Sequence, residues 1–190
     1  MISITDKSAW TFDTSATGGI GVEFVALQGG AIWLKDPAQA SVRLRMVAVG
    51  AGLTYGLKLP KLGKLPPLKL GGKQVGGALG PKFFPSAGMI WKTAACSRQE
   101  LVHDDFCGPV VFIEGGGALV AVAGAVDLML LGFDKLAYAE SVASAGMLPG
   151  LESLLMDRAL STVKAVMLCG GVSATYGASV GVALMTGAIW

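Results

Sequence analysis

Apolar residues recur along the chain in short blocks, and the spacing within these blocks is that of β-strands. Val42, Leu44 and Met46 alternate with Arg43 and Arg45, so apolar and charged side chains are expected on opposite faces of one strand. Three further apolar blocks with closely spaced glycines cover residues 18–34, 109–133 and 165–190. These blocks predict either hairpins of one glycine-rich sheet or segments that insert together.

Glycine and proline mark where the strands should end. Residues 21–34 predict a strand, a break at Gly29–Gly30 and a second strand. Asp36–Pro37 predicts the turn that follows, because Asp-Pro initiates turns well. Further along, Pro109 and the triplet Gly115–Gly117 favour two strands over one helix.

Residues 134–165 are the region with helical spacing. Asp134 is placed to cap a first helix that should stop near Gly146, since glycine commonly ends a helix. A second helix is predicted from about Gly150, because apolar residues then recur at spacings of three and four.

The C-terminal run, residues 165–190, contains no charged residue and has two interpretations. It is long enough for a membrane-spanning helix, which needs about 20 residues. It also alternates bulky and small residues, which is typical of a strand. We therefore predict a β-rich α+β fold, a glycine-rich antiparallel sheet or barrel with helices near 134–165, in a single domain over residues 1–190. Membrane-inserting helical hairpins are the alternative fold.

Composition and charge point away from an ordinary soluble domain. Of 190 residues, 53% are hydrophobic and 15% are charged, against about 25% charged in a typical domain. Residues 37–99 contain ten bases and no acid, whereas residues 100–190 contain nine acids and three bases. The basic segment either attracts anionic lipid or folds against the acidic C-terminal part.

The most distinctive local pattern is LKLPKLGKLPPLKL, residues 57–70. Its leucines and lysines recur every three residues among prolines, which suits polyproline II. The segment is either an extended surface linker or an interfacial anchor, in which lysines contact lipid head groups. The lipid-surface candidates are Lys58, Lys61, Lys64 and Lys69.

The segment from Cys96 to Cys107 is the part of the sequence that most resembles a chemical site, since it also holds the sole histidine, His103. The spacing of these three residues matches no standard zinc pattern and does not by itself create a Cys/His nucleophile pair. A polar loop with ordinary thiols is the simpler interpretation. We assign no catalytic, cofactor-binding or metal residue, and we expect no enzymatic activity and no cofactor.

Two acids interrupt the apolar blocks. Glu114 and Asp127 are separated by 12 uncharged residues, and a β-strand crosses a bilayer in about 9–11 residues. These acids either line a pore and favour cations or lie at strand ends in water. The membrane or pore candidates are Glu114, Asp127, Gly177, Gly181 and Trp190.

The stretches GGIGVEFVALQGGAIWL, VRLRMVAVGAGLTYGLKLPKLGKLP, GPVVFIEGGGALVAVAGAVDLMLLGF and the C-terminal run give the chain a recognisable character. It resembles small pore-forming effectors of the bacterial type VI secretion system. The resemblance implies synthesis in the bacterial cytoplasm without a signal peptide, secretion, and insertion into a target membrane as an ion-conducting pore.

The partners that follow are a lipid membrane, a secretion-tube or chaperone protein, an immunity protein and further copies of the chain, but no nucleic acid. The alternative function is a soluble β-rich module that binds lipid or membrane surfaces without enzymatic activity.

Overall fold

The structure, a computed structural model, describes residues 2–22, 25–52, 87–116, 125–144, 151–171, 175–176 and 182–190. The strands in these ranges are β1 (Ile4–Lys7), β2 (Thr11–Val22), β3 (Val25–Lys35), β4 (Ser41–Gly52), β5 (Ala87–Thr93), β6 (Gly108–Gly116), β7 (Ala125–Leu131), β8 (Ala165–Gly171), β9 (Thr175–Tyr176) and β10 (Val182–Ile189). The helices are α1 (Lys135–Ala143) and α2 (Leu151–Ser161), with a short 3-10 helix at His103–Asp105. The prediction of a β-rich α+β fold with helices near 134–165 is confirmed.

All of these strands belong to one sheet, in the order β1-β5-β8-β7-β6-β10-β4-β3-β2-β9. Its pairings are antiparallel, except that the two-residue β9 runs parallel to β2. The C-terminal strand β10 lies between β4 and β6. It therefore joins the N-terminal meander β2–β3–β4 to the strands from the second half of the chain.

The sheet curls until β2 contacts β5, although the two strands lie near opposite ends of the strand order. Phe12 of β2 lies so close to Gly88 of β5 that a Cβ on this glycine would meet the Phe12 ring at 2.8 Å. Just before β2, the Ser8 N–H donates to the Ile90 carbonyl at 2.9 Å. Glycine at position 88 therefore permits the close approach of the two ends.

The concave face of the curl holds the larger apolar core. Residues from nearly every long strand meet there, together with aromatic side chains from the connecting segments. Trp10 packs on Phe106 with ring centroids 4.8 Å apart. The fully buried members of this core include Ile32, Leu34, Leu44, Ile90, Phe106, Phe112, Leu131 and Met167.

A second core lies between the convex face and the helices. Leu130 and Val166, both fully buried, come from the sheet, whereas Ala159 and Leu160 come from α2. Strands β6, β7 and β8 thus bury alternate residues on opposite faces. This explains their continuous apolar sequences, because strands covered on both faces lose the apolar–polar alternation.

The two helices begin where their sequences predict. The Asp134 side chain caps α1 by accepting from the Ala137 N–H at 2.9 Å. The second helix starts at Leu151, one residue after the predicted Gly150, and ends at Ser161. An ion pair between Arg158 and Glu140, at 3.2 Å, connects the helices.

The C-terminal run forms strands where the structure describes it. Residues 165–171 form β8 and residues 182–189 form β10, but the two are separated in the sheet by β7 and β6. The alternative of membrane-inserting helical hairpins is therefore wrong for these residues, because sheet pairing satisfies a backbone whose glycines disfavour a helix. In the described part of the chain, no helix has the length and apolar character needed to cross a bilayer.

One predicted boundary is wrong. The glycines at 29–30 do not end a strand, since β3 runs unbroken through them. Ladder pairing with β2 on one side and β4 on the other holds the backbone extended at this point. The turn at Asp36 is confirmed, because its carboxylate accepts from the Ala40 N–H at 2.8 Å.

Candidate functional site

The two acids predicted as pore candidates are brought directly opposite each other. Glu114 of β6 and Asp127 of β7 are register partners in the antiparallel pair. On their outer sides, Glu114 is paired with Ala183 of β10 and Asp127 with Cys169 of β8. The two acids therefore occupy one register position on adjacent strands, which makes the pair a candidate for function.

Trp190, the third candidate that the structure describes, lies just beyond the end of β10. The Trp190 backbone N–H donates to the Arg45 carbonyl at 3.0 Å, and the Trp190 carbonyl accepts from the Arg45 backbone N–H at 2.8 Å. The backbone is therefore held in the ladder, while 56% of the tryptophan remains exposed. A large aromatic side chain is thus exposed at the end of a paired strand.

The other candidates lie outside the described residues. These are Gly177, Gly181, Lys58, Lys61, Lys64 and Lys69. The predictions made for them stay predictions.

The Cys96–Cys107 segment contains one cysteine–histidine contact. The Cys107 Sγ lies 3.8 Å from the His103 Nδ1, and the Asp104 Oδ1 lies 3.4 Å from the same nitrogen. Burial, reinforced by the negative charge of Asp104, raises the pKa of the Cys107 thiol. The thiol is therefore less ionised than a free cysteine at neutral pH, which is the opposite of an activated nucleophile.

Metal binding finds no support in the same segment. The Cys96 thiol contacts the Arg98 carbonyl at 3.7 Å. Across the described ranges, no group of three or more His, Cys, Asp or Glu residues is arranged to hold a metal ion.

The neighbouring Asp105 is buried and accepts several charge-assisted hydrogen bonds. The Arg98 guanidinium donates to both of its oxygens, and the Lys164 ammonium lies 3.1 Å from one of them. Burial alone would raise the pKa of Asp105, but the Val102 N–H together with these two cations outweighs burial and lowers it. Asp105 therefore holds the loop before β6 against the start of β8. Sequence spacing provides no signal for this contact, because Lys164 lies 59 residues away.

Comparison with known proteins identifies the group to which the chain belongs. The chain is 34% identical, over 189 residues, to the toxin protein Tse4 of Pseudomonas aeruginosa. The match covers 97% of this chain and 95% of that relative. The chain belongs to the Tse4 toxin family. No family model matches the chain, and no solved structure matches it.

Membership of the Tse4 family confirms the bacterial toxin class predicted from the sequence. The ionisable groups of the structure can then be divided into those that hold loops in place and those that remain candidates for toxicity.

Glu100 resembles Asp105 in its role, because its carboxylate accepts from the Ser8 hydroxyl at 2.6 Å and the Ala9 N–H at 2.8 Å. Burial raises its pKa, but these hydrogen bonds outweigh that effect and lower it. Both acids thus hold loops in place, and the acid pair Glu114–Asp127 and the exposed Trp190 remain as candidates for toxicity.

Proposed function

We propose that this toxin inserts into a target membrane and forms an ion-conducting pore, without catalysing a reaction. The observation that carries the proposal is the length of the strands in the meander β2–β3–β4 and the apolar composition of β2 and β3. Its strands contain 12, 11 and 12 residues, and a tilted strand crosses the hydrocarbon core in about 9–11 residues. Residues 14–22 and 25–34 contain no charged residue, so most of β2 and β3 avoids the cost of burying charge in lipid.

The acid pair supports a pore that conducts cations. Rings of carboxylates favour cations in channels, and Glu114 and Asp127 occupy one register position on adjacent strands. Several copies of the chain around a pore would repeat this pair.

Delivery and immunity follow from the resemblance and the family together. The chain resembles type VI secretion effectors, and it belongs to a toxin family. We therefore include export through a type VI apparatus, carriage by a secretion-tube or chaperone protein and neutralisation by an immunity protein in the proposal.

The test is ion leakage from sealed vesicles of phosphatidylethanolamine and phosphatidylglycerol. The full-length chain should dissipate a potassium diffusion potential, reported by a potential-sensitive dye, while entrapped calcein stays inside. Release of calcein at the same rate would indicate lysis and contradict a narrow pore. An unchanged potential with bound protein would contradict pore formation altogether.

Selectivity is measured with variants in planar bilayers. Glu114→Gln combined with Asp127→Asn should shift the reversal potential in a salt gradient toward zero, because two carboxylates per chain are lost. Glu140→Gln is the matched control, since this acid lies on α1 and pairs with Arg158. An equal shift in the control would contradict a pore role for the pair.

One observation favours the alternative of a lipid-binding module that makes no pore. The sheet already buries a core on each face of β6, β7 and β8, so its central strands are satisfied without a membrane. Tight vesicle binding with a stable potential would establish this alternative.

A further inference from the structure

The convex face of the sheet is covered only in part. Helix α1 reaches as far as β10, where the Tyr138 side chain lies near the Thr186 side chain. Beyond this point, on β4, the side chains at alternate positions are exposed, including 39% of Val47 and 50% of Val49. Two apolar side chains of β4 are therefore left partly uncovered by the part of the chain that the structure describes.

One end of the same face carries cations and tryptophans. Arg43 and Arg45 precede the two valines on β4 and are exposed. The Arg43 guanidinium lies 5.3 Å from the centre of the Trp33 ring, and Trp190 lies opposite Arg45 in the ladder. Each arginine thus has a tryptophan beside it, and the valines continue along the strand.

The two arginines have no carboxylate partner within the ranges that the structure describes. Asp13, an acid on β2, does not pair with either arginine. Its carboxylate lies 3.6 Å from the Lys35 ammonium. Two free cations on one face make it complementary to an anionic surface. Tryptophan prefers the head-group level of a bilayer, where its ring is half in water and half in lipid.

We propose that this face docks the folded toxin on an anionic lipid surface, with Trp33, Arg43, Arg45 and Trp190 among the head groups and Val47 and Val49 toward the acyl chains. The inference rests on the proposed function, because docking is the step that precedes insertion. A second copy of the chain suits the face less well, since a two-fold contact would bring identical arginine pairs together.

The test is equilibrium binding of the full-length chain to vesicles, with and without phosphatidylglycerol in phosphatidylcholine, by co-sedimentation. Arg43→Gln combined with Arg45→Gln should weaken binding to anionic vesicles by about 25-fold, since each basic residue near such a surface contributes roughly fivefold. Arg43→Lys with Arg45→Lys should retain binding to within about threefold, because the charge is kept.

A matched control removes the same charge elsewhere. Lys7 lies on β1 and Arg158 on α2, and both are exposed on elements that do not form the proposed face. Lys7→Gln combined with Arg158→Gln should weaken binding by no more than about threefold, since charges away from the contact are screened by salt. A loss as large as that of the arginine variant would overturn the proposal, because net charge alone would then explain binding.

Tryptophan fluorescence provides an independent readout. Trp10 and Trp91 are buried, whereas Trp190 is exposed and Trp33 partly so. Brominated anionic lipids should therefore quench the wild-type chain, and Trp190→Phe should remove a large part of that quenching. Quenching that is unchanged in Trp190→Phe would overturn the placement of this end in the head groups.

Docking and pore formation fail in different ways. If the Arg43→Gln, Arg45→Gln variant binds vesicles as tightly as the wild type and causes the same leakage, docking by this face is overturned and the pore proposal stands. Binding that follows the predicted pattern without leakage would support docking and overturn the pore. A stable dimer that the arginine variant abolishes would overturn lipid docking in favour of a second copy.

Discussion

The two halves of the sheet differ in what covers them. In strands β5–β8–β7–β6 both faces are buried, one by the concave core and the other by α1 and α2. In strand β4, beyond β10, the concave side is buried but the convex side exposes Arg43, Arg45, Val47 and Val49. The covered half, β5–β8–β7–β6, therefore buries apolar side chains in two cores, whereas the bare half, which contains β4, buries them in the concave core alone and leaves a surface free to meet a partner.

The difference also separates two uses of charge. In the covered half, Asp105 is buried and bonded to Arg98 and Lys164. In the bare half, Lys35 and Asp13 form a pair in which each side chain is about two-fifths exposed, and such pairs contribute little to stability. The buried carboxylate thus holds loops in place, whereas the exposed pair adds little to the stability of the fold.

The largest effect is expected from a cavity in the covered half. Leu130 of β7 is fully buried against the helices. Leu130→Ala should therefore lower the free energy of unfolding by about 3 kcal/mol. Urea denaturation of the full-length chain measures this loss. A change below about 1 kcal/mol would show that the helices do not pack on this face as described.

An intermediate effect is expected from the buried carboxylate. Asp105→Asn should lower the free energy of unfolding by about 2 kcal/mol at pH 7, because Arg98 and Lys164 are partly exposed and keep water as an alternative partner. Asp13→Asn in the bare half is the matched change and should cost less than about 0.5 kcal/mol.

The same residue determines part of the acid sensitivity. The pKa of Asp105 is lowered in the folded state, so its contribution to stability is complete above the pKa of the unfolded chain, about 4, and is lost as the pH falls through the lower folded value. The loss of stability below about pH 4 should therefore be shallower in Asp105→Asn than in the wild type. Parallel acid titrations of the two proteins would contradict this assignment.

The smallest effect is expected on the bare face. Val49 is half exposed on β4, and Val49→Thr keeps the β-branched shape, so the free energy of unfolding should change by less than about 0.5 kcal/mol. The same urea titration measures it. A loss above about 1.5 kcal/mol would mean that another part of the chain covers this face and would remove the contrast between the halves.

Much of the bare half could be predicted from the sequence. Alternation places Leu44 and Met46 inward and Arg43 and Arg45 outward, and the structure confirms it, since a strand with one solvated face has a period of two. The helices and the Asp134 cap could also be predicted from the sequence, because capping and helical spacing are local properties.

The secondary structure of the covered half could not be predicted from the sequence alone. A strand buried on both faces reads as a continuous apolar run, so residues 165–171 could not be distinguished from part of a helix by periodicity. Burial between the concave core and the helices decides that they form β8. Trp190 was named from the sequence, but its position beside Arg45 follows from pairing between segments that lie far apart in the chain.

The candidate acids show the same division. That Glu114 and Asp127 interrupt apolar strands could be read from the sequence, because residue type and spacing are local properties. Their register as direct partners could be read only from the fold, since a shift of one residue in register would separate them. Local pattern sets which way a strand faces, whereas the order and register of strands come from contacts between distant segments.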